Sequence, residues 1–403
     1  MLRTLFASWH TYLDQSNGAS ISTRALLLEL ARRHWDVSTF CALSQDFQRN
    51  QTLEEMLASH RILANKTIAG DGFSTTSFWD SGVKSLALVP STIRRVPSPS
   101  DVALYMRFFK ETLVQTQPNV VLSYGGYGLA QPLFREARAF GAKVAVFLHN
   151  LAYNRRDYFQ HVDIVFVPSH FAAEFYRRKI GLETIAIPPL IDSSRAEALQ
   201  NKTTPSPDPN HVLFVNPEQG KGVRFLIAIA KEIWRLRRDI RFLVVEGREG
   251  RNSLLRFGKE ILKDVRNIDY APNVVDFQRL YAHARITLFP SLYEETFGRV
   301  AAESLNAGVP VVASDRGALP EVVGNSGVIL SIPEKFQPES DVAPNESEIE
   351  PWVRAILRLW DDATFYAEKQ ERGREQAENW RFDVVADRYE ERLMELAGKT
   401  CRC

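Results

Sequence analysis

Residues 290–303 have the sequence PSLYEETFGRVAAE, and this stretch decides the fold because it joins a strand to a helix. Residues 286–289 are apolar and β-prone, which predicts a buried strand immediately before it. The residues that follow predict a helix that ends near Ala307 and Gly308, since Gly308 and then Pro310 form a C-terminal helix signal. A short turn between a buried strand and a helix is typical of an α/β domain with a parallel sheet.

Two carboxylates frame this turn. Glu295 stands at the predicted start of the helix and Glu303 two turns into it, with Thr296, Phe297 and Gly298 between them. Backbone N–H groups at a helix start, together with the helix dipole, form a site for an anion. Acids beside an anion site do not suit phosphate alone, but they suit a ligand that carries both phosphate and hydroxyl groups, such as a nucleotide sugar.

Length and composition predict a soluble globular protein with room for two domains. The chain has 403 residues, of which 45% are hydrophobic and 25% charged. The net charge of +1 gives no electrostatic reason to expect nucleic acid as a partner. Residues 1–190 nevertheless hold an excess of Lys and Arg, which favours an anionic acceptor or a membrane surface. Scattered solvated charge is the alternative explanation of that excess.

Cysteine content and hydropathy bear on the compartment. Cys41, Cys401 and Cys403 have neither the number nor the spacing of a disulfide framework or a metal site, which favours a reducing compartment. No apolar run reaches the length of a transmembrane helix. We therefore expect a cytoplasmic protein, with peripheral attachment to a membrane as a variant of that expectation.

Short β-rich runs alternate with amphipathic helices twice along the chain. This pattern predicts two Rossmann-like, doubly wound parallel-sheet domains, residues 1–192 and 211–380, joined by a polar, proline-rich linker at 193–210. Residues 381–403 are predicted to form a C-terminal helix and tail that pack back on the first domain. The predicted strands are 4–7, 37–41, 85–89, 120–124, 143–148 and 164–168 in the first domain, and 212–215, 241–245, 286–289, 309–313 and 327–330 in the second.

Ligands of doubly wound sheets bind at the carboxyl ends of the strands, so the cleft between two such domains is the predicted site. Three residues at predicted strand ends therefore become candidates. Gly18 permits close backbone approach to a ligand, or is a plain loop glycine. His149 can bond a sugar hydroxyl, or is structural. Lys221, between two glycines, can reach a pyrophosphate, and the alternative is an ordinary solvated lysine in a turn. The glycines of residues 124–128 do not match the dinucleotide fingerprint.

Taken together and in chain order, these turns resemble those of the retaining glycosyltransferases of family 4, which have the GT-B fold. The hallmark of that family is a pair of glutamates separated by seven residues, here Glu295 within PSLYEETFG at 290–298 and Glu303 after it, followed by AGVPVVAS at 307–314. The resemblance spans most of the chain, and also covers His149, 167–169, 187–192 and 221–222.

The resemblance implies roles for the sugar and the nucleoside of a donor. Glu295 would contact hydroxyls of the donor sugar and hold its reacting face. Glu303 would bind the ribose, and His149 would lie near the transferred sugar.

It also implies how the diphosphate is bound. Backbone groups around Thr296, Phe297 and Gly298 would meet the diphosphate, and Lys221 would neutralise charge as the nucleotide leaves. Gly18 would lie near the donor phosphate from the first domain. Members of the family generally need no metal, so no metal or other cofactor is expected.

One departure concerns the diphosphate. The family usually has an Arg shortly before the position of Lys221, whereas Asn216 and Pro217 occupy that stretch here. Arg248 and Arg299 are the candidates to replace it.

The implied reaction is transfer of a sugar from a UDP-, GDP- or ADP-sugar to an acceptor hydroxyl, with retention, in cell-envelope glycolipid or polysaccharide synthesis. The acceptor is not identified by the sequence, although the basic first half favours a lipid-linked or membrane-surface molecule. A non-catalytic sugar-nucleotide-binding module and an epimerase or phosphorylase of the same fold remain alternatives.

Overall fold

A computed structural model describes residues 1–45, 51–124, 128–191, 210–259, 261–263, 265–272 and 277–398. The chain divides into two compact units, the first formed by Met1–Leu190 with Phe382–Cys403 and the second by Ile191–Arg381. Nearly all of the predicted linker, the turn residues 125–127, and Cys401 and Cys403 lie outside the described residues.

The first unit is built on a nine-stranded sheet with the order β3-β4-β5-β2-β1-β6-β7-β8-β9. The central strand β1 pairs in parallel with both β2 and β6. The strands are β1 Arg3–His10, β2 Asp36–Ser44, β3 Ala64–Gly70, β4 Phe73–Asp80, β5 Val83–Pro90, β6 Val120–Tyr124, β7 Lys143–Phe147, β8 Ile164–Val167 and β9 Ile185–Ala186.

Helices cover this sheet and bury its central strands. Tyr105 and Phe109 are fully buried, and the Tyr105 hydroxyl donates to the Phe40 carbonyl of β2 at 2.9 Å. Burial of such aromatic side chains is the main source of stability in a core of this kind. The helices are α1 Gly18–Arg32, α2 Leu53–Ser59, α3 Pro99–Thr116, α4 Ala130–Phe140 and α5 His170–Ile180, with a 3₁₀ turn at Arg156–Phe159.

One edge of this sheet is antiparallel, which the sequence analysis did not predict. Strand β4 runs antiparallel to both β3 and β5. The connecting turns have two residues each, 71–72 and 81–82, and Gly72, Ser81 and Gly82 have positive φ angles as tight hairpins require. The predicted parallel sheet is therefore extended at this edge by two antiparallel strands that were not predicted.

The second unit has a six-stranded sheet, in which neighbouring strands are parallel throughout, with the order β12-β11-β10-β13-β14-β15. Its strands are β10 His211–Val215, β11 Arg241–Val245, β12 Ile268–Ala271, β13 Ala284–Phe289, β14 Val311–Ser314 and β15 Val328–Leu330. Its helices are α6 Val223–Leu236, α7 Arg251–Gly258, α8 Phe277–Ala282, α9 Arg299–Asn306, α10 Leu319–Val323, α11 Glu346–Asp361 and α12 Ala363–Ala377. Short 3₁₀ turns lie at Gln219–Lys221, Ile261–Lys263, Gly324–Ser326 and Glu378–Trp380.

The strand order of the second unit reverses at β10. Because β11 lies on one side of β10 and β13 on the other, the chain leaves β10 and β13 at neighbouring carboxyl ends. Such a switch point opens a crevice in which ligands of doubly wound sheets bind. The turns after these two strands, residues 216–222 and 290–298, therefore meet at the edge of the sheet where a site is expected.

Helix α9 begins later than the sequence indicates. Its first residue is Arg299, so Glu295 lies in the preceding turn rather than at the helix start. Gly298 has a φ of 92°, a left-handed conformation that a helix cannot continue through. The predicted end of the helix is confirmed, since Ala307 follows the last helical residue and Gly308 has a φ of 72°.

A final helix, α13 Phe382–Leu396, returns to the first unit. The Tyr389 ring lies edge-on to Phe147 of β7 and Phe166 of β8, with centroids 5.9 and 5.3 Å away. Its hydroxyl donates to the Ile187 carbonyl at 3.2 Å. This helix therefore completes a core whose other parts precede residue 191.

Candidate active site

The turns after β10 and β13 are joined through the backbone of Gly220. Its carbonyl accepts from the N–H of Leu292 at 2.8 Å and of Tyr293 at 3.3 Å. These bonds connect segments that are far apart in the sequence. They fix Lys221 beside the motif that contains Glu295.

The glycines on either side of Lys221 are required by this close approach. A Cβ on Gly220 would lie 2.1 Å from the ring of Tyr293, and a Cβ on Gly222 would lie 2.1 Å from the carbonyl oxygen of Pro290. Gly222 also has a φ of 84°, which disfavours any other residue. Close packing therefore explains why Lys221 lies between two glycines. The same packing fixes the backbone from which the Lys221 side chain reaches Glu295.

Lys221 and Glu295 form an ion pair at the centre of the site. The Lys221 Nζ lies 2.6 Å from Oε1 of Glu295, and their side chains are only 20% and 11% exposed. The same carboxylate oxygen accepts from the Ser291 hydroxyl at 2.5 Å. The ammonium group also lies 5.5 and 5.6 Å from the ring centroids of Phe289 and Tyr293. A half-buried, paired cation of this kind is held in a defined position.

The backbone of Glu295 is fixed by the turn after β14. The Ala318 N–H donates to the Glu295 carbonyl at 2.8 Å, and Gly317 packs so closely that a Cβ there would lie 2.3 Å from Glu295 backbone atoms. Ser314 adds a bond from its hydroxyl to the Ser291 carbonyl at 2.7 Å. The carboxylate is therefore presented by a turn that is anchored from two sides.

The three residues between the glutamates have different surroundings. Phe297 is buried with its ring edge-on to Trp380 at 6.0 Å, so its side chain belongs to the core. Thr296 is half-buried. The N–H groups of Phe297 and Gly298 have no acceptor among the residues that the structure describes, and they directly precede α9. Backbone donors at this helix start are suited to an anion.

Glu303 is held by two neighbours. Arg299 Nε donates to Oε1 at 2.5 Å, and the Tyr281 hydroxyl donates to Oε2 at 3.1 Å. Burial, followed by the charge of Glu303, raises the pKa of Tyr281, so this phenol stays a proton donor at neutral pH. The Glu303 carboxylate therefore lies in the second turn of α9. Arg299 is already bonded to that carboxylate.

Asn216 occupies a structural position at the end of β10. It has a φ of 66° and is almost fully buried. Its amide nitrogen donates to Glu218 at 3.0 Å, and its amide oxygen accepts from the Glu249 N–H at 3.0 Å. The other oxygen of Glu218 accepts from the Tyr293 hydroxyl at 2.6 Å. The Asn216 amide therefore binds the turn after β11 directly and the turn after β13 through Glu218. It stands in the stretch where the resemblance predicted a cation.

Two predicted site residues belong to the first unit. Gly18 is the exposed first residue of α1, and the side chain of Asn17 caps that helix by accepting from the Ala19 N–H at 2.9 Å. His149 lies two residues beyond the end of β7, half-buried, with its ring 6.2 Å from that of Tyr124. Gly18 thus begins the helix that follows β1, and His149 lies in the segment that follows β7.

Four polar residues of the second unit hold the site but were not predicted from the sequence. Ser291 had a signal, since it lies four residues before Glu295 within the same motif. Tyr281, Glu218 and Tyr293 had none that spacing reveals, because their bonds cross between different turns.

The described part of the chain contains no group of three or more His, Cys, Asp or Glu side chains placed to hold a metal ion. Within those same residues, no helix has both the length and the apolar character needed to span a bilayer.

Residues 209–362, less than half of the chain, match the family model described as glycosyl transferases group 1. A segment of 65 residues is 45% identical to the O-antigen chain mannosyltransferase B of Escherichia coli, covering 16% of each chain. A segment of 190 residues is 27% identical to the lipopolysaccharide 1,2-N-acetylglucosaminetransferase of Salmonella typhimurium, covering 42% of this chain and 49% of that enzyme. The matches thus span less than half the length of these curated relatives.

Solved structures match nearly the whole chain. A sucrose-phosphate synthase from Thermosynechococcus elongatus superposes with a TM-score of 0.68 at 18% identity, covering 98% of this chain and all of that one. The Anabaena protein HepE, in complex with UDP-glucose, gives a TM-score of 0.68 at 13% identity with coverage of 98% and 100%. The chain therefore has the GT-B fold, with two α/β domains, and its second unit carries the group 1 glycosyltransferase pattern.

Proposed function

We propose that this protein transfers a sugar from a nucleoside-diphosphate sugar to an acceptor hydroxyl, with retention at the anomeric carbon, as a member of family 4. The observation that carries the proposal is the half-buried Lys221–Glu295 pair at the switch point of the second sheet. The match of residues 209–362 to the group 1 glycosyltransferases supports it.

The pair supplies the two chemical functions that a sugar-diphosphate donor needs. The Glu295 carboxylate can accept from hydroxyls of the donor sugar and orient its reacting face. Negative charge builds on the diphosphate as it departs, and Lys221 with the N–H groups of Phe297 and Gly298 can stabilise it. Loss of one preorganised donor of this kind typically costs about 100–1,000-fold in rate.

Further residues complete the proposed donor site. Glu303, oriented by Arg299 and Tyr281, presents a carboxylate that can accept from ribose hydroxyls. Thr296 lies in the same turn as the backbone donors. We assign His149 to the transferred sugar and Gly18 to the donor phosphate, because each lies in a segment that follows a strand of the first sheet. The proposed reaction uses neither metal nor another cofactor.

A donor screen tests the proposal. The protein is incubated with UDP-, GDP- and ADP-sugars, and binding and slow donor hydrolysis are measured by calorimetry and NMR. We expect one nucleotide series to bind and hydrolyse, with the released sugar in the donor's anomeric configuration. Well-folded protein that responds to no donor would refute the proposal, and an epimerised donor would identify a different reaction of the same fold.

Glu295→Ala provides the matching site test. We expect transfer or donor hydrolysis to be abolished while the circular dichroism spectrum and unfolding midpoint stay close to those of the parent protein. Near-normal turnover in this variant would show that Glu295 does not have the assigned role.

A membrane-surface or lipid-linked acceptor is the proposed second substrate, located at the cytoplasmic face of a membrane. The excess of basic residues before position 190 supports it. Trp79 and Ile68, on the antiparallel edge of the first sheet, are exposed and add apolar surface to the same unit. Co-sedimentation with anionic vesicles at low and high salt tests the idea, and absence of binding at both would count against it.

A second candidate is a non-catalytic sugar-nucleotide-binding module. The observation that favours it is Asn216, which stands with Glu218 where a diphosphate-binding cation was expected. Tight binding of a donor with neither hydrolysis nor transfer to any of a panel of glycolipid acceptors would support this candidate.

A further inference from the structure

A long segment of the second unit, residues 331–345, joins β15 to α11 without forming a helix or a strand. We call this segment the strap. Segments of this length within a compact domain often have a function of their own. The strap is fixed to the core by Phe336, which is buried with its ring edge-on to that of Phe225 in α6 at 5.0 Å. Phe336 therefore gives the strap a defined course.

The strap is bound to two of the turns that build the site. The side chain of Gln219, in the 3₁₀ turn after β10, donates to the Ser340 carbonyl at 2.8 Å. The Ser331 hydroxyl donates to the Asp315 carboxylate at 2.5 Å. Asp315 lies in the turn after β14, which fixes the backbone of Glu295. One segment thus connects both of these turns.

Arg316 is the cation at the second of these attachments. Its side chain is 15% exposed. Its Nη2 donates to the Ile332 carbonyl at 3.2 Å and lies 3.5 Å from the carbonyl oxygens of Pro333 and Phe336. Its Nη1 lies 3.6 Å from a carboxylate oxygen of Glu294. Because a guanidinium presents several donors in one plane, this side chain can hold the strap and the turn after β13 together.

The two adjacent glutamates of that turn have different partners. Glu294 lies beside Arg316, whereas Glu295 is paired with Lys221. The peptide between them packs on the turn of Arg316, since a Cβ on Gly317 would lie 2.3 Å from the Glu295 nitrogen and 2.7 Å from the Glu294 carbonyl carbon. The contact with Arg316 therefore opposes a rotation of this peptide that would bring Glu294 to the lysine.

We infer that Arg316 is a positioning residue for Glu295. The inference rests on the proposed function and assigns a role to a residue outside the donor contacts proposed above. Arg316 acts through Glu294, and through its own turn, in which the Ala318 N–H bonds the Glu295 carbonyl at 2.8 Å. Loss of Arg316 should leave Lys221 in place but allow the Glu295 carboxylate to move away from the position that suits the donor sugar.

Steady-state kinetics of donor turnover test the inference, with the nucleotide sugar that the donor screen identifies. We expect Arg316→Gln to lower kcat by about 10–100-fold, because a small displacement of a group that orients the substrate has an effect of this size. The affinity for the nucleoside diphosphate, which has no sugar, should be unchanged in the same variant. Arg316→Lys should recover part of kcat, since an ammonium group can still pair with Glu294.

Arg224→Gln is the matched control. Arg224 is 21% exposed and donates to Asp341 of the strap at 2.8 Å, so this variant removes a charge of the same sign and one bond to the same segment. It leaves the turn after β14 unchanged, and kcat should stay close to that of the parent protein.

Glu294→Gln separates positioning from general stability. We expect it to lower kcat, and the double variant with Arg316→Gln should be no slower than Arg316→Gln alone, because the two residues act through one contact. If Arg316→Gln does not fold, normal kcat in Glu294→Gln would overturn the assignment.

Three other results would overturn the assignment and leave the proposed function intact. They are normal kcat in Arg316→Gln, an equal loss of kcat in Arg224→Gln, and a loss of nucleoside diphosphate affinity that matches the loss of kcat. A parent protein that turns over no donor would overturn both the assignment and the proposed function.

Discussion

Lys221 serves two partners in the proposed reaction, although it has one ammonium group. In the structure it is bound to the Glu295 carboxylate at 2.6 Å. A donor would offer it a diphosphate, and would offer Glu295 the hydroxyls of a sugar. Donor binding therefore exchanges one ion pair for two new sets of contacts, and part of the binding energy is used to open the pair.

The variant Glu295→Gln tests this exchange. Gln keeps the shape and can still accept from Ser291, but it no longer competes for the charge of Lys221. We expect sugar transfer to be lost while the nucleoside diphosphate, which lacks the sugar, binds roughly two- to tenfold more tightly. Calorimetry with the nucleoside diphosphate gives the measurement, and Lys221→Met is the control that should bind it more weakly. Weakened binding in Glu295→Gln would contradict the exchange.

Gly222→Ala tests how firmly the two turns are joined. The new Cβ would meet the Pro290 carbonyl at 2.1 Å in a left-handed backbone conformation. We expect the free energy of unfolding to fall by about 2–4 kcal/mol, from overpacking together with backbone strain.

Gly308→Ala is the matched control for this substitution. Gly308 has a similar φ of 72°, but its nearest neighbour is the flexible side chain of Arg374 at 3.3 Å. It should lose only the backbone contribution, about 1–2 kcal/mol. Urea unfolding compares the two variants, and equal losses would mean that the Pro290 contact is relieved at little cost.

At the scale of elements, α1 and α13 are connected by a chain of charges. Glu29 of α1 accepts from Arg32 at 2.6 Å and from Arg33 at 2.7 Å. Arg33 also donates to Asp387 and Glu390 of α13, both at 2.6 Å. Glu390 accepts in addition from the Trp35 indole at 2.8 Å. The carboxylate of Glu29 therefore helps to hold the arginine that binds the returning helix.

This chain of charges predicts a pH dependence. Hydrogen bonds from Arg32, and then from Arg33, lower the pKa of Glu29 below its ordinary value of 4.5, although burial opposes the shift. A lowered folded-state pKa means that the stabilisation is present above the unfolded-state pKa and is lost as the pH falls through the folded-state value. The stability of the parent protein should therefore decline below about pH 4.5.

Glu29→Gln should show a smaller decline over the same pH range, because Gln does not titrate. Glu391→Gln, at an exposed position of α13, is the control and should follow the parent protein. Urea unfolding between about pH 7 and pH 3 measures all three. Parallel curves for the parent and Glu29→Gln would show that Glu29 does not contribute in this way.

Much of the element pattern could be predicted from the sequence, because buried parallel strands are short apolar runs. The strands predicted at 120–124 and 241–245 have those same bounds in the structure. Strand β4 was missed because it is rich in Ser and Thr, and β3 was missed because every one of its residues is exposed. An exposed edge strand has no apolar face, so hydrophobic periodicity gives no signal.

The candidate site was predictable in part. Motif spacing identified Lys221 and Glu295 as functional candidates, but their contact joins residues 74 positions apart and depends on how two turns pack. The start of α9 was misplaced because acids before an apolar run are typical of a helix start, whereas the left-handed Gly298 delays it. The role of Asn216 follows from its bonds to Glu218 in its own turn and to Glu249 in the turn after β11, and no local pattern contains the second of these.

On the scale of the whole molecule, the two units have separate hydrophobic cores. The first core is incomplete without α13, in which Val385, Ala386, Tyr389 and Leu393 are buried. A chain that ends at Arg381 should therefore lose stability in the first unit and retain it in the second.

Hydrogen exchange followed by mass spectrometry measures this difference. In the shortened chain we expect amides of β7 and β8, which face Tyr389, to lose protection, while amides of β10 and β13 keep it. Tyr389→Ala in the full-length chain should produce a milder form of the same pattern. Equal loss of protection in both units would show that they unfold as one.

The return of α13 also affects how the chain folds on the ribosome. The strands of the first unit are synthesised first, but the helix that covers Phe147 and Phe166 emerges only after the whole of the second unit. At roughly 5–20 residues per second, the delay is on the order of ten to forty seconds. During that time the second unit can complete its fold while an apolar surface of the first remains uncovered. Nascent chains halted near residue 381 are therefore the species on which we expect chaperones to act.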